Sequence, residues 1–161
     1  MVNTIVGIDP GLKGSMAFLK TDGTLHVERL PILIEQRKTK RVRMIDTQRL
    51  AEILKAHGAD VALVEDVFSM PRDSRRGAFT FGGVKVAIVA ALRAAGVRTL
   101  YVSPSVWKGK MRLSADKKRS RALAEKLFPG ASFKSIDDCE AALLAGYLLL
   151  HRPHEITPSS D

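Results

Sequence analysis

The chain has 161 residues, 26 of them Lys or Arg against 17 Asp or Glu, for a formal net charge of +9, and its isoelectric point is about 10.0. With 45% hydrophobic residues it can bury a core, which excludes disorder as its main state, and the length suits one domain. The lone Cys139 excludes an internal disulfide, the apolar run Ala141–Leu150 is too short for a bilayer, and MVNTIVGIDPG lacks the features of a signal peptide, so the expectation is a cytoplasmic protein with no membrane partner.

Thr4–Asp9 (TIVGID) is apolar and rich in β-branched residues up to a Pro10-Gly11 turn, and reads as a strand. Ser15–Lys20 reads as a second strand, and Asp22-Gly23 as a hairpin turn into a third, Thr24–Pro31. The basic stretch that follows reads as a loop. Asp46 caps a helix through about Lys55, with Ile45, Leu50, Ile53 and Leu54 as its apolar stripe and Gly58 as its stop. Val61–Val64 is apolar on both faces, as a central strand is, and ends in Glu65-Asp66. After a loop of Pro, Arg and Gly, a long helix runs from about Ala78 to Ala95, closed by Gly96. Arg98–Val102 is a fifth strand and Pro104–Lys108 a helical turn. Ser114 caps a helix to about Phe128, stopped by Pro129-Gly130. The last helix starts at Ser135 or Ile136 and ends near Arg152. This order predicts an α/β fold over residues 1–152, with three antiparallel strands joined to two parallel ones and helices packed on the sheet. Residues 153–161 read as a flexible tail.

The charge is unevenly placed. Arg37 to Arg49 holds six basic residues (Arg37, Lys38, Lys40, Arg41, Arg43, Arg49) and one acid; Lys108 to Arg121 holds seven (Lys108, Lys110, Arg112, Lys117, Lys118, Arg119, Arg121) and one acid. A smaller cluster, Arg72, Arg75 and Arg76, follows a predicted strand. Solvated loops and helix faces would account for single runs. Two dense runs and a third cluster favour contact with the phosphates of nucleic acid, and such binding weakens steeply with salt. The final stretch from Ala131 reverses the sign, with five acids against Lys134 and Arg152.

Four acids stand where solubility does not require them. Asp9 ends an apolar strand on the face of Ile5 and Gly7, and Glu65 ends the second buried strand; Asp66 then points to the opposite face. Asp137 and Glu140 are three apart at the start of the last helix and share a face. Asp137 and Asp138 also suit a helix N-terminus, Ser135 and Asp138 fit a capping box, and Asp9 before Pro-Gly suits a turn. Clustered oxygen ligands favour Mg²⁺, with Mn²⁺ as a substitute, over zinc. Two such ions roughly 4 Å apart can activate water and stabilise the leaving oxygen of a phosphodiester. An acidic metal site inside a basic surface is the pattern of a nuclease. His26, His57, His151 and His154 show no triad or zinc spacing.

At these residues the sequence resembles the RuvC family of Holliday junction resolvases, in the RNase H-like superfamily. The stretches that carry the likeness are GIDPG (7–11), VALVEDVF (61–68), GGVKVAIVAAL (82–92), SADKKRSRA (114–122) and DDCEAALLA (137–145). They span nearly the whole chain in order. The resemblance implies an RNase H-like fold, a five-stranded mixed sheet flanked by helices. It implies two Mg²⁺ ions held by Asp9, Glu65, Asp137 and Glu140, with Asp9 bridging them. The family's fourth acid is usually Asp, so Glu140 is a departure that leaves open which of Asp137, Asp138 and Glu140 ligate. Lys117 falls at a family lysine near the scissile phosphate, where it would stabilise developing charge, and Lys108 beside Trp107 matches another more loosely. Phe68 matches an aromatic that contacts bases at the crossover, although a core residue at a strand end reads equally well.

With Arg72, Arg75, Arg76, Lys110, Lys118 and Arg119, these lysines and Phe68 form the expected DNA-binding set. The richness of the Arg37–Arg43 stretch suits a phage or divergent branch, in which case the setting is the host cytoplasm. A two-fold four-way junction implies a homodimer. The expected activity is a Mg²⁺-dependent endonuclease that places paired nicks in Holliday junctions and related branched DNA, leaving 5′-phosphate and 3′-hydroxyl ends. Its rivals are another RNase H-like nuclease acting on RNA–DNA hybrid or RNA, and a junction-binding protein without turnover. A phosphotransferase of the actin-like group ranks last, because the chain is too short for a second nucleotide-clamping domain.

Overall fold

The computed structural model describes residues 2–67, 74–114 and 116–156. In chain order the elements are β1 (Thr4–Asp9), β2 (Ser15–Lys20), β3 (Leu25–Arg29), β4 (Ile32–Arg37), β5 (Lys40–Ile45), α1 (Thr47–Ala56), β6 (Val61–Glu65), α2 (Arg75–Ala94), β7 (Arg98–Val102), α3 (Pro104–Lys110), α4 (Lys117–Leu127) and α5 (Ile136–His151), with a 3₁₀ turn at Pro153–Glu155. The main sheet has the order β3-β2-β1-β6-β7. Strands β1, β2 and β3 are antiparallel, and β6 and β7 run parallel to β1. The mixed five-stranded sheet expected from the sequence is the one observed.

Side-chain alternation along these strands divides the core in two. Val6, Ile8, Met16, Phe18, Ala62 and Val64 pack beneath α1 and α2, whose stripes supply Leu50, Ile53, Leu54, Val84, Ile88, Ala91 and Leu92. Ile5, Leu19, Val61 and Leu63 pack beneath α5, together with Trp107 and Ala124. Beyond the acids of its first turns, helix α5 is apolar all round and buried from Ala141 to Leu148, as a helix wedged between a sheet and outer helices must be. It approaches the sheet closely at Gly7, where a Cβ would collide with the backbone of Ala141 and Ala145.

The basic stretch read as a loop is a β-hairpin. Strands β4 and β5 pair antiparallel from Ile32↔Ile45 to Arg37↔Lys40, as a two-stranded sheet of their own. The sequence hides it because the turn is Lys38-Thr39, with Lys38 in the left-handed region at φ 48° where Gly or Asn is usual. The hairpin is rooted at one end of the main sheet: the Leu30 N–H donates to the Gly14 carbonyl (3.0 Å) and the Asp46 N–H to the Pro31 carbonyl (2.9 Å). Strand β5 also packs against α2.

Smaller corrections concern helix ends. Asp116, and not Ser114, caps α4: its carboxylate accepts from the Lys118 N–H at 2.9 Å, while the Ser114 hydroxyl accepts from Asp116 N–H. Ser74 caps α2 through Gly77 N–H, so that helix begins three residues before Ala78. The Pro104–Lys108 turn extends to Lys110, and the strand expected over Thr24–Pro31 pairs only from Leu25 to Arg29.

Candidate active site

The register places two carboxylates side by side. Strands β1 and β6 pair in parallel with Ile8 opposite Val64, so Asp9 and Glu65 leave adjacent strands at the same end and on the same face, about one strand spacing apart. Asp9 is also paired with Ser15 of β2, and the Ser15 hydroxyl donates to Oδ1 of Asp138 at 2.6 Å. That buried bond ties the start of α5 to the sheet beside Asp9. The other Asp138 oxygen accepts from the backbone N–H groups of Lys134 (2.9 Å) and Ser135 (3.0 Å), and Ser135 returns the cap by accepting from Asp138 N–H. With both oxygens engaged in this way, Asp138 serves as the fastener, and Asp137 and Glu140 on either side of it are delivered toward Asp9.

Electrostatics show the convergence. Burial, reinforced by Glu65, Glu140 and Asp137, pushes the Asp9 carboxyl up to about 8, with Lys108 opposing. Burial also raises Glu65, and a hydrogen bond from Trp107 and the charge of Lys108 work against it. Burial acts on Asp138 too, but there the bonds from Ser15, Lys134 and Ser135 outweigh it and hold the carboxylate below its usual range. The two upward shifts follow from crowding like charges in a place poor in water, and the downward one from hydrogen bonds donated to the ionised form.

Helix α3 supplies the counterweights. The fully buried Trp107 donates from Nε1 to Glu65 Oε1 at 2.8 Å, fixing that carboxylate. Lys108, half-buried, reaches Glu140 Oε1 at 2.9 Å and stands 5.2 Å from the Trp107 ring centre. The Ser120 hydroxyl of α4 points at the same Glu140 oxygen at 3.4 Å. Lys117 opens α4 one turn ahead of Ser120; it is exposed, as are Lys110, Lys118 and Arg119. Arg75 and Arg76 are exposed on the first turn of α2, and Arg76 lines a cavity of about 440 Å³ shared with Gly11 and Leu12, just past Asp9. Phe68 and Arg72 lie outside the described residues.

Asp66 is directed away from this cluster and is ion-paired with Lys85 of α2. The parts played by Ser15, Trp107 and Ser120 were not foreseen from the sequence. The signal for Trp107 was a large apolar side chain inside a basic run; Ser15 and Ser120 carried none.

Four carboxylates with oxygen donors only, one of them, Asp9, pushed up by burial and by its acidic neighbours, make a donor set suited to hard divalent cations such as Mg²⁺ or Mn²⁺.

No protein-family model matches the sequence, and comparison with curated proteins finds no match. Solved structures do match. RuvC of Thermus thermophilus in complex with a Holliday junction substrate superposes with a TM-score of 0.66 at 14% identity, over 95% of this chain and 97% of that one. A second structure of Thermus thermophilus RuvC gives 0.59 at 17% identity, over 91% and 95%. The yeast mitochondrial Holliday junction resolvase gives 0.52 at 13% identity, over 95% and 83%. The chain therefore has the RuvC-like, RNase H-like fold along nearly its whole length.

Proposed function

We propose that the chain is a metal-dependent endonuclease that resolves Holliday junctions and related branched DNA by paired nicks, leaving 5′-phosphate and 3′-hydroxyl ends. The observation that carries this reading is the convergence of Glu65, Asp137 and Glu140 on the buried Asp9, drawn from two strands and a helix, which raises Asp9 to about 8 on an otherwise basic protein. The shared fold supports it, since two of the matching structures are a Holliday junction resolvase and RuvC with its junction substrate.

The four carboxylates would hold two Mg²⁺ ions, which when bound supply Lewis-acid activation of water and of the scissile phosphate. The chain's own groups do the rest. Trp107 and Lys108 hold Glu65 and Glu140 in fixed orientations, so that the oxygens are presented without reorganisation. Lys117, exposed at the N-terminus of α4, would meet a phosphate, with the exposed Lys110, Lys118 and Arg119 adding to the basic surface. Arg75 and Arg76 extend the basic surface on the α2 side, with Phe68 and Arg72 completing the set in sequence. The β4–β5 hairpin, rooted at the Asp9 end of the sheet, adds exposed Arg37, Lys38, Lys40, Arg41 and Arg43 as an arm along a flanking duplex.

A homodimer suits the two-fold substrate. Helix α2 offers the surface: Phe79 is 85% and Val86 70% exposed on a helix whose inner stripe is already committed to the sheet.

The test is incubation of a mobile four-way junction with the protein and Mg²⁺, mapping both nicks, beside an RNA–DNA hybrid duplex. Symmetric nicks that a ligase reseals are the expected result. Cleavage of the hybrid alone would transfer the assignment to another RNase H-like nuclease. Junction binding with no product in Mg²⁺ or Mn²⁺ would leave a binding protein without turnover.

A further inference from the structure

On the opposite face of the sheet, two histidines and a glutamate meet that sequence spacing does not connect. Along β3, Arg29 shares the face of Ser15 and Asp9, so His26 and Glu28 project to the other side with Phe18 and Met16, under α1. His57, the residue that ends α1, comes down onto them. Its Nε2 lies 2.8 Å from Glu28 Oε1, and Nε2 of His26 lies 3.2 Å from the same oxygen. Donor atoms of the three residues all fall within 4.8 Å of one another. The rings are stacked in a column, with Phe18 on His57 at 4.1 Å between centroids and His57 on His26 at 4.8 Å.

We propose that His26, Glu28 and His57 form a second metal site, for a borderline transition-metal dication of the Zn²⁺ class, with water in the remaining coordination positions. Two imidazoles and a carboxylate are a donor set for Zn²⁺, Co²⁺ or Ni²⁺ and a poor one for Mg²⁺, which takes oxygen ligands. The carboxyl-terminal end of α1 adds the negative end of a helix dipole. Phe18 fixes the His57 ring, so one donor is already oriented. His57 and Glu28 are partly buried, with side chains 26% and 32% exposed, while His26 at 56% opens the cluster to an ion arriving from solvent. The bound ion would clamp the end of α1 to β3, the edge strand of the main sheet. The sheet separates this site from the carboxylate cleft, so each selects its own class of cation. The proposal does not depend on the nuclease reading.

The experiment is a titration of the full chain with Co²⁺, read from its ligand-field absorption, with Zn²⁺ as competitor and melting temperature as a second readout. The expected result is one site of this type per chain, unchanged in Asp9→Asn, with a melting temperature that rises on adding Zn²⁺. His57→Gln and His26→Gln should each weaken binding by about tenfold or more, on the scale seen when a site loses a coordinating or supporting group. His57 is packed on Phe18 and its variant can lose stability for that reason alone, whereas exposed His26 can be exchanged without disturbing the core. Undiminished Co²⁺ binding in His26→Gln, or loss of binding in Asp9→Asn, would overturn the assignment. So would the absence of any Co²⁺ spectrum in the parent protein.

Discussion

In the proposed reaction Asp9 is the residue on which the chemistry would turn, because burial and the neighbouring carboxylates make its charge costly without a cation. Asp9→Asn keeps the shape and removes the ligand; cleavage should vanish, while a gel shift of a four-way junction in EDTA should persist. Its pH behaviour follows from sign. The folded carboxyl titrates near 8, against 3.8 ordinarily. Between those values the folded chain holds a proton that the unfolded chain has released, so the associated stability is whole below about pH 4 and lost as pH climbs through 8. The metal-free protein should therefore unfold at lower urea at pH 9 than at pH 6, and Mg²⁺ should narrow that gap. Mg²⁺ binding at pH 7 must displace this proton, and calorimetry in buffers of different ionisation enthalpy should count about one released per site.

At the scale of elements, the packing of α5 on β1 and β2 decides whether the four acids meet. Gly7 is required there by close approach of backbone to backbone, and Gly7→Ala should cost about 1–3 kcal/mol or more through overpacking, measured by urea unfolding. Ser15→Ala strips a buried Asp138 oxygen of its partner, for a loss of roughly 1–3 kcal/mol. It should also slow single-turnover cleavage, since the first turn of α5 loses its tie beside Asp9; an unchanged rate would show that capping alone suffices to place Asp137 and Glu140. The capping box at Ser135 and Asp138 was readable in sequence because its bonds span three residues. The β4–β5 hairpin was not: its turn lacks Gly and Asn, and Leu33 and Ile34, both exposed, break the alternation that betrays a half-buried strand.

Over the whole molecule, charge of one sign surrounds a small centre of the other. Neutralising Arg37, Lys40, Arg41 and Arg43 together to Gln should reduce the slope of log affinity against log salt for junction DNA by up to roughly 3.6, at ~0.9 for each phosphate left without its cation. The cleavage rate at saturating protein should stay as it was, because none of the four touches the carboxylates. Equal slopes in parent and variant would place the hairpin off the DNA. Phe79→Asp, on the outer face of α2, should convert a dimer to a monomer in sedimentation while leaving the fold intact, since that side chain is 85% exposed.

Residue order was enough to establish the five strands of the main sheet and the helices that follow them, the strands buried on both faces, and the acids at their carboxyl ends. Those properties are written in local periodicity and need no knowledge of what packs where. Tertiary structure was needed to decide that Lys108 meets Glu140, that Trp107 holds Glu65, that Asp138 fastens α5 to Ser15, and that His26, Glu28 and His57 share a corner. These pairings reach across tens of residues of chain, set by strand register and by the seating of helices on the sheet. Spacing along the chain does not carry that information.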